Sequence, residues 1–132
     1  IDASAHIGPT GVDHRVTATL YFENNVTSQF ICSVESAGEN TFHIIGEKGT
    51  IKIHKYFSAG ETATLHRNGE EAVAVNKPWR INGFEGEIDE TIRCVREGKI
   101  ESEIMSHDET LKTLEWMDHI RKMVGVRYPF DR

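Results

Sequence analysis

The stretch Asn82-Gly83-Phe84-Glu85-Gly86-Glu87-Ile88-Asp89-Glu90-Thr91-Ile92-Arg93-Cys94-Val95-Arg96-Glu97-Gly98-Lys99 is where this chain stops reading as strands and starts reading as helix. Asn82 suits an N-cap, and Glu85 three residues on completes a capping-box-like pair. Glu85, Glu87, Asp89 and Glu90 crowd the positive end of the helix dipole, and Arg93, Arg96 and Lys99 follow towards its negative end. Phe84, Ile88, Ile92 and Val95 form one apolar stripe at helical spacing. Gly98 ends the helix through its access to left-handed backbone. A second helix opens on the capping box of Ser106 and Glu109. It carries Leu111, Leu114, Trp116 or Met117, Ile120 and Met123 on a broad apolar face and closes at Gly125.

Upstream the pattern has a period of two. Ile1 to Ile7 is a short strand, broken by the turn cluster Gly8-Pro9-Thr10-Gly11. From His14 onward Val16, Ala18, Leu20 and Phe22 alternate with Arg15, Thr17, Thr19 and Tyr21. Asn24-Asn25 suits a two-residue hairpin turn, because asparagine tolerates positive φ. Val26 to Val34 returns with Phe30, Cys32 and Val34 on one face and Ile31 on the other. Asn40 to Ile45 and Thr50 to Ile53 flank Gly46-Glu47-Lys48-Gly49, and Thr62 to His66 and Glu71 to Val75 flank Asn68-Gly69, both hairpins. None of these links is long enough for a parallel crossover. Lys77-Pro78-Trp79 ends the strand region, since proline cannot extend a central ladder. The expected fold is α+β: a mainly antiparallel open sheet over residues 1–76, with two C-terminal helices over 82–125 packed on one face.

The 132 residues amount to a single domain. A net charge of −6 with no basic block excludes a nucleic-acid surface, which needs a lysine and arginine stripe against phosphate. No apolar run approaches the roughly 20 residues that span a bilayer, and nothing resembles a signal peptide. Cys32 and Cys94 both fall on apolar faces; two cysteines allow a disulfide, but buried thiols of a reducing, cytoplasmic compartment are the better reading. The start at Ile1, directly in strand-like alternation, suggests an excised domain.

Candidate chemistry is sparse. His43, His54 and His66 lie on strands, but no histidine or cysteine pair has metal-site spacing, so no metal is expected. Glu85 and Glu87 look like general acid–base material, yet their place in a first helical turn explains them as dipole partners. Gly46-Glu47-Lys48-Gly49 is the nearest approach to a dinucleotide fingerprint, but it joins two hairpin strands and no helix N-terminus follows it. Trp79 and Phe84 flank the crossing from strand to helix, where a domain-edge pocket can form. Phe84 lies on the helix stripe and reads as a core residue, whereas Trp79 stands outside any periodic pattern.

Taken in order, several pieces resemble the C-terminal domain of the glucose–fructose oxidoreductase/inositol dehydrogenase (Gfo/Idh/MocA) family, especially its dihydrodiol dehydrogenase-like branch. Gly11-Val12-Asp13 leads into a long strand, and Ile45-Gly46-Glu47-Lys48-Gly49-Thr50-Ile51 looks like a family hairpin. Glu87 to Gly98 with Glu101-Ser102, then Asp118-His119-Ile120-Arg121 leading to Gly125 and Tyr128-Pro129-Phe130, are similar to the family's ending. The resemblance implies an NAD- or NADP-dependent oxidoreductase that moves hydride to or from a sugar, polyol or dihydrodiol. It puts the cofactor and the catalytic residues on an N-terminal Rossmann domain that this chain lacks; Lys77-Pro78 has no preceding glutamate and follows the wrong strand for the family lysine. The chain alone is then inactive and holds no cofactor. It places a substrate-pocket aromatic in the loop before the Asn82 helix, which makes Trp79, with Phe84 beside it, the candidate. It also implies a homodimer or higher assembly through the open sheet face, consistent with the apolar groups on both faces of Val26 to Val34. The alternative is a free-standing, non-catalytic α+β module that binds a ligand or a second chain.

Overall fold

The computed structural model describes residues 1–131. Every strand pairing in it is antiparallel, as the short turns require, but the strands divide into two sheets rather than one. The first contains β1 (Asp2–Ile7), β2 (Asp13–Tyr21) and β3 (Thr27–Ser33) in that order. The second contains β4 (Phe42–Gly46), β5 (Gly49–Ile53), β6 (Thr62–Arg67) and β7 (Val73–Asn76), again in order. The break falls in the irregular segment after Ser33, where Asn40 takes a φ of 55° and no ladder joins β3 to β4. Two helices follow, α1 (Glu85–Arg96) and α2 (His107–Met123).

The chain forms two compact units. One comprises residues 1–37 with the segment from Glu103 onward, and the other residues 38–102. In the first, α2 packs against β1. Val16, Ala18 and Val126 are buried, and Phe22 meets Trp116 edge to face at 5.8 Å. Register places Ala5 beside Val16 and Ala3 beside Ala18, so one face of this sheet is lined by small apolar groups. The hairpin between β2 and β3 turns through the three residues Glu23–Asn25 rather than two. Asn24 and Asn25 both take positive φ, at 57° and 59°, and the Phe22 N–H donates to the Val26 carbonyl at 2.8 Å. Cys32 is exposed, contrary to the sequence reading, because β3 is an edge strand with no neighbour beyond it. Cys94 is buried as expected.

In the second unit the β4–β5 hairpin turns at Glu47-Lys48, with Gly46 opposite Gly49. Gly49 has a φ of 148°, and a Cβ there would lie 2.0 Å from the His66 carbonyl oxygen, so no other residue fits. Asn68 ties this turn to the next: its N–H donates to the Lys48 carbonyl at 3.1 Å and its side-chain amide to the Glu47 carbonyl at 2.9 Å. Register gathers Phe42, Ile44, Ile51, Ile53, Ala63, Leu65, Val73 and Val75 onto one face of the sheet. Of these, Phe42, Ile44, Ile51, Val73 and Val75 remain 37% to 55% exposed.

The helix ends follow local chemistry. Ser106 accepts from the Glu109 N–H at 3.2 Å and opens α2 as read from the sequence. Gly98 and Gly125, at φ 67° and 79°, close α1 and α2. The start of α1 differs from the expectation. Its N-cap is Phe84, not Asn82, and Phe84 makes no side-chain capping bond. Gly83, at φ 94°, inserts a turn between Asn82 and the helix, so the Asn82 side chain accepts from Phe84 N–H outside it at 3.2 Å. Phe84 caps the helix instead of sitting within its stripe, and it is 62% exposed rather than part of a core. No helix among the described residues is long and apolar enough to cross a membrane.

Candidate functional site

The loop between β7 and α1 carries both aromatics singled out by the sequence. It leaves the sheet with the Lys77 N–H donating to the Glu61 carbonyl at 2.7 Å. Pro78 then stops the ladder, having no N–H to give. Trp79 is fixed at two points: its backbone N–H donates to the Glu61 carboxylate at 2.8 Å, and its indole Nε1–H to the Ala59 carbonyl at 2.9 Å. Gly83 lies against the indole, since a Cβ there would sit 3.3 Å from the ring. Trp79 nevertheless stays 40% exposed. Phe84 stands at the other end of the loop, and among the described residues it forms no ring pair with Trp79.

Glu85 closes the loop on itself. Its carboxylate accepts from the N–H groups of Ile81 at 2.9 Å, Asn82 at 3.2 Å and Gly83 at 2.8 Å. The bond to Asn82 N–H is the back-reaching half of the expected capping box; the other half is absent because Asn82 is not the cap. These donors, Ile81 foremost, lower the Glu85 pKa to about 2. Arg80 and Asp89 pair at 2.8 Å across the same turn. Further along α1, Glu90 accepts from Arg93 at 2.8 Å and from the Ser102 hydroxyl, which likewise lower its pKa to about 2. Burial, followed by the bond to Glu90, raises the Cys94 thiol.

A shallow hollow of about 380 Å³ lies on the same unit, over β6 and β7, between His54, Thr62, Thr64, Ala74 and Asn76. His54 Nε2 and the Thr64 hydroxyl are hydrogen-bonded there at 2.8 Å. Neither Trp79 nor Phe84 lines this hollow. His43 and His66 lie elsewhere, opposite Lys52 and Thr50 in the ladders, so the three strand histidines do not converge. Among the described residues no group of three or more histidine, cysteine, aspartate or glutamate side chains is arranged to hold a metal ion. Nor do the glycines fit a dinucleotide: Gly46 and Gly49 pair within a hairpin, and strand, not helix, follows them.

Two clusters escaped the sequence reading. Glu35 bridges His6 Nδ1 at 2.9 Å and His14 Nδ1 at 3.2 Å, and these two donors hold its carboxyl below the usual range. Glu35 lies 29 and 21 positions from the two histidines, and they meet because β1, β2 and β3 pair and the chain bends just past β3. Arg121 gathers Asp131, Asp118 at 3.1 Å, the Val126 carbonyl at 3.4 Å and the Tyr128 ring at 4.8 Å. That cluster gives the Asp118 to Arg121 motif a part in seating the chain's end.

Residues 1–52 match the family model of the GFO/IDH/MocA C-terminal domain. The chain is 32% identical over 137 residues to a trans-1,2-dihydrobenzene-1,2-diol dehydrogenase of Danio rerio, covering 99% of this chain and 41% of that protein. It is 30% identical over its whole length to the enzyme of the same name from Mus musculus, again covering 41% of it. It is 28% identical to an NADP(+) scyllo-inositol 2-dehydrogenase of Bacillus subtilis, of which it covers 40%. The chain thus spans about two fifths of the length of these curated relatives. Among solved structures it matches an aldose-aldose oxidoreductase from Caulobacter crescentus complexed with glycerol. The TM-score is 0.75 at 21% identity, over 92% of this chain and 37% of that one, and shows a shared fold.

Proposed function

Because this chain belongs to the GFO/IDH/MocA family as its C-terminal domain, we propose that it is the substrate-binding and dimerisation part of a longer NAD(P)-dependent oxidoreductase. The substrate class is a sugar, polyol or dihydrodiol. The observation that carries the reading is the match of nearly the entire chain to dehydrogenases of which it makes up about two fifths. Cofactor and catalytic residues fall to an N-terminal Rossmann domain, and the present residues hold neither. Trp79 and Phe84 line the substrate pocket, Trp79 as the tethered member and Phe84 as the exposed one. Two free thiols suit a cytoplasmic enzyme.

The protein is a homodimer or higher assembly through its open sheet face. The apolar face of the four-stranded sheet supports this, because side chains aligned by register yet exposed from over a third to just over half need a cover. Phe30 and Ile31 on β3 are exposed too, one on each face.

The test is expression of the complete protein and, separately, of these 132 residues. The complete protein should oxidise trans-1,2-dihydrobenzene-1,2-diol or scyllo-inositol with NAD or NADP, and sediment as a dimer or larger. The shorter chain should do no oxidation and take up no cofactor. Tight NADP uptake by the short chain, or a monomeric complete protein, would overturn the corresponding part.

A further inference from the structure

The pocket reading leaves open how a loop on the surface could present a tryptophan in one fixed pose. The geometry supplies an answer. A tryptophan that is 40% exposed is held only in part by packing. Three separate links hold the Trp79 segment. The Ala59 carbonyl takes the indole N–H, the Glu61 carboxylate takes the backbone N–H, and the Glu85 carboxylate gathers the three N–H groups from Ile81 to Gly83. Gly83, drawn in by Glu85, lies 3.3 Å from the indole measured from its would-be Cβ, so Glu85 acts on the ring through the glycine.

We propose that Glu61 and Glu85 are positioning residues that preset Trp79 as a platform, and that substrate meets the exposed indole ring rather than its N–H. The inference rests on Trp79 lining the substrate pocket. Its N–H is already spent on a main-chain carbonyl, and diverting it would leave that carbonyl without its donor. What remains is an aromatic face. Such a face attracts the C–H side of a polyol or sugar ring, or the ring of a dihydrodiol, by dispersion and by its quadrupole. A platform fixed in advance spares the binding step the cost of ordering the loop.

The test uses the complete protein with NADP and scyllo-inositol or trans-1,2-dihydrobenzene-1,2-diol. Trp79→Leu should raise KM about tenfold, and Glu61→Ala and Glu85→Ala about fivefold, each with kcat within about twofold. Glu61→Gln keeps an acceptor oxygen and should restore KM. The Trp79 indole N–H resonance, assigned by its loss in Trp79→Leu, should move or broaden in both alanine variants and stay in place when substrate is added. If Trp79→Leu leaves KM unchanged, the pocket reading falls and this inference with it. If Trp79→Leu raises KM while neither alanine variant alters the resonance or KM, the pocket stands and the positioning role falls. A resonance that shifts as the N–H is recruited by substrate would overturn the ring-face contact alone.

Discussion

The two units of this chain are ordered by different means. The three-stranded unit buries Val16, Ala18 and Val126, whereas Cys94 is the one buried side chain of the four-stranded unit among the described residues. Both units carry polar clusters, but in the four-stranded unit they stand without a deep core: Glu61, Asn68 and Glu90 reach groups far along the chain, and Glu85 gathers the N–H groups just ahead of it. That unit's apolar sheet face meanwhile stays half open. The difference teaches that a unit can hold a precise loop without a deep core, provided its backbone donors are met by carboxylates that cannot easily give them up.

That contrast can be broken experimentally, most severely at Gly49. Gly49→Ala puts a Cβ 2.0 Å from a main-chain oxygen at a φ of 148°. It should cost about 3 kcal/mol or more and abolish amide protection along β5 and β6. A wild-type unfolding midpoint would show that the turn has room that the geometry denies it. Val126→Ala probes the other unit. Losing two buried methyl groups should cost about 2 kcal/mol in urea unfolding, and the same cost at pH 5 as at pH 7, because neither valine nor alanine carries a titrating group.

Acid should separate the units more gently. Glu85, chiefly through Ile81 N–H, and Glu90, chiefly through Arg93, have pKa values lowered from 4.5 to about 2. The unfolded chain therefore takes up their protons first as pH falls. Their stabilisation is complete above about 4.5 and drains away down to about 2. Amide protection from Ile81 to Glu85 should be level between pH 7 and 5 and decline below that window. The decline should be shallower in Glu85→Gln. Glu35 and Asp131 shift in the same direction in the other unit, so earlier acid opening there would reverse the comparison. The smallest expected effect compares helix starts. Ser106→Ala should cost about 1 kcal/mol by removing a true N-cap. Asn82→Ala should cost about half that, since its side chain serves one N–H ahead of the helix. Equal losses would restore Asn82 as a cap.

Much of this fold is legible residue by residue. Gly46 to Gly49 and Asn68-Gly69 announce antiparallel hairpins, Ser106 announces a helix, and Gly98 and Gly125 announce two helix ends. Asn82 misled because Gly83 can turn the chain left-handed one step before the helix, and a capping pattern does not record which of two starts the backbone takes. Trp79 stands out in the sequence as a residue outside every period and through the family resemblance, but neither shows what holds it. Its anchors, Ala59 and Glu61, lie 20 and 18 positions back, beyond the reach of any local pattern.

The sequence by itself determined where the hairpins turn, the strand direction, the start of α2 and the ends of both helices, because these depend on φ preferences and on hydrogen bonds between near neighbours. Only the tertiary structure decided that the strands part into two sheets, that Cys32 faces outward, and that Glu61 and Ala59 hold Trp79 from 18 and 20 positions back. Those outcomes depend on which segments distant in sequence come to share a register, and that is settled by the competition among whole-chain pairings.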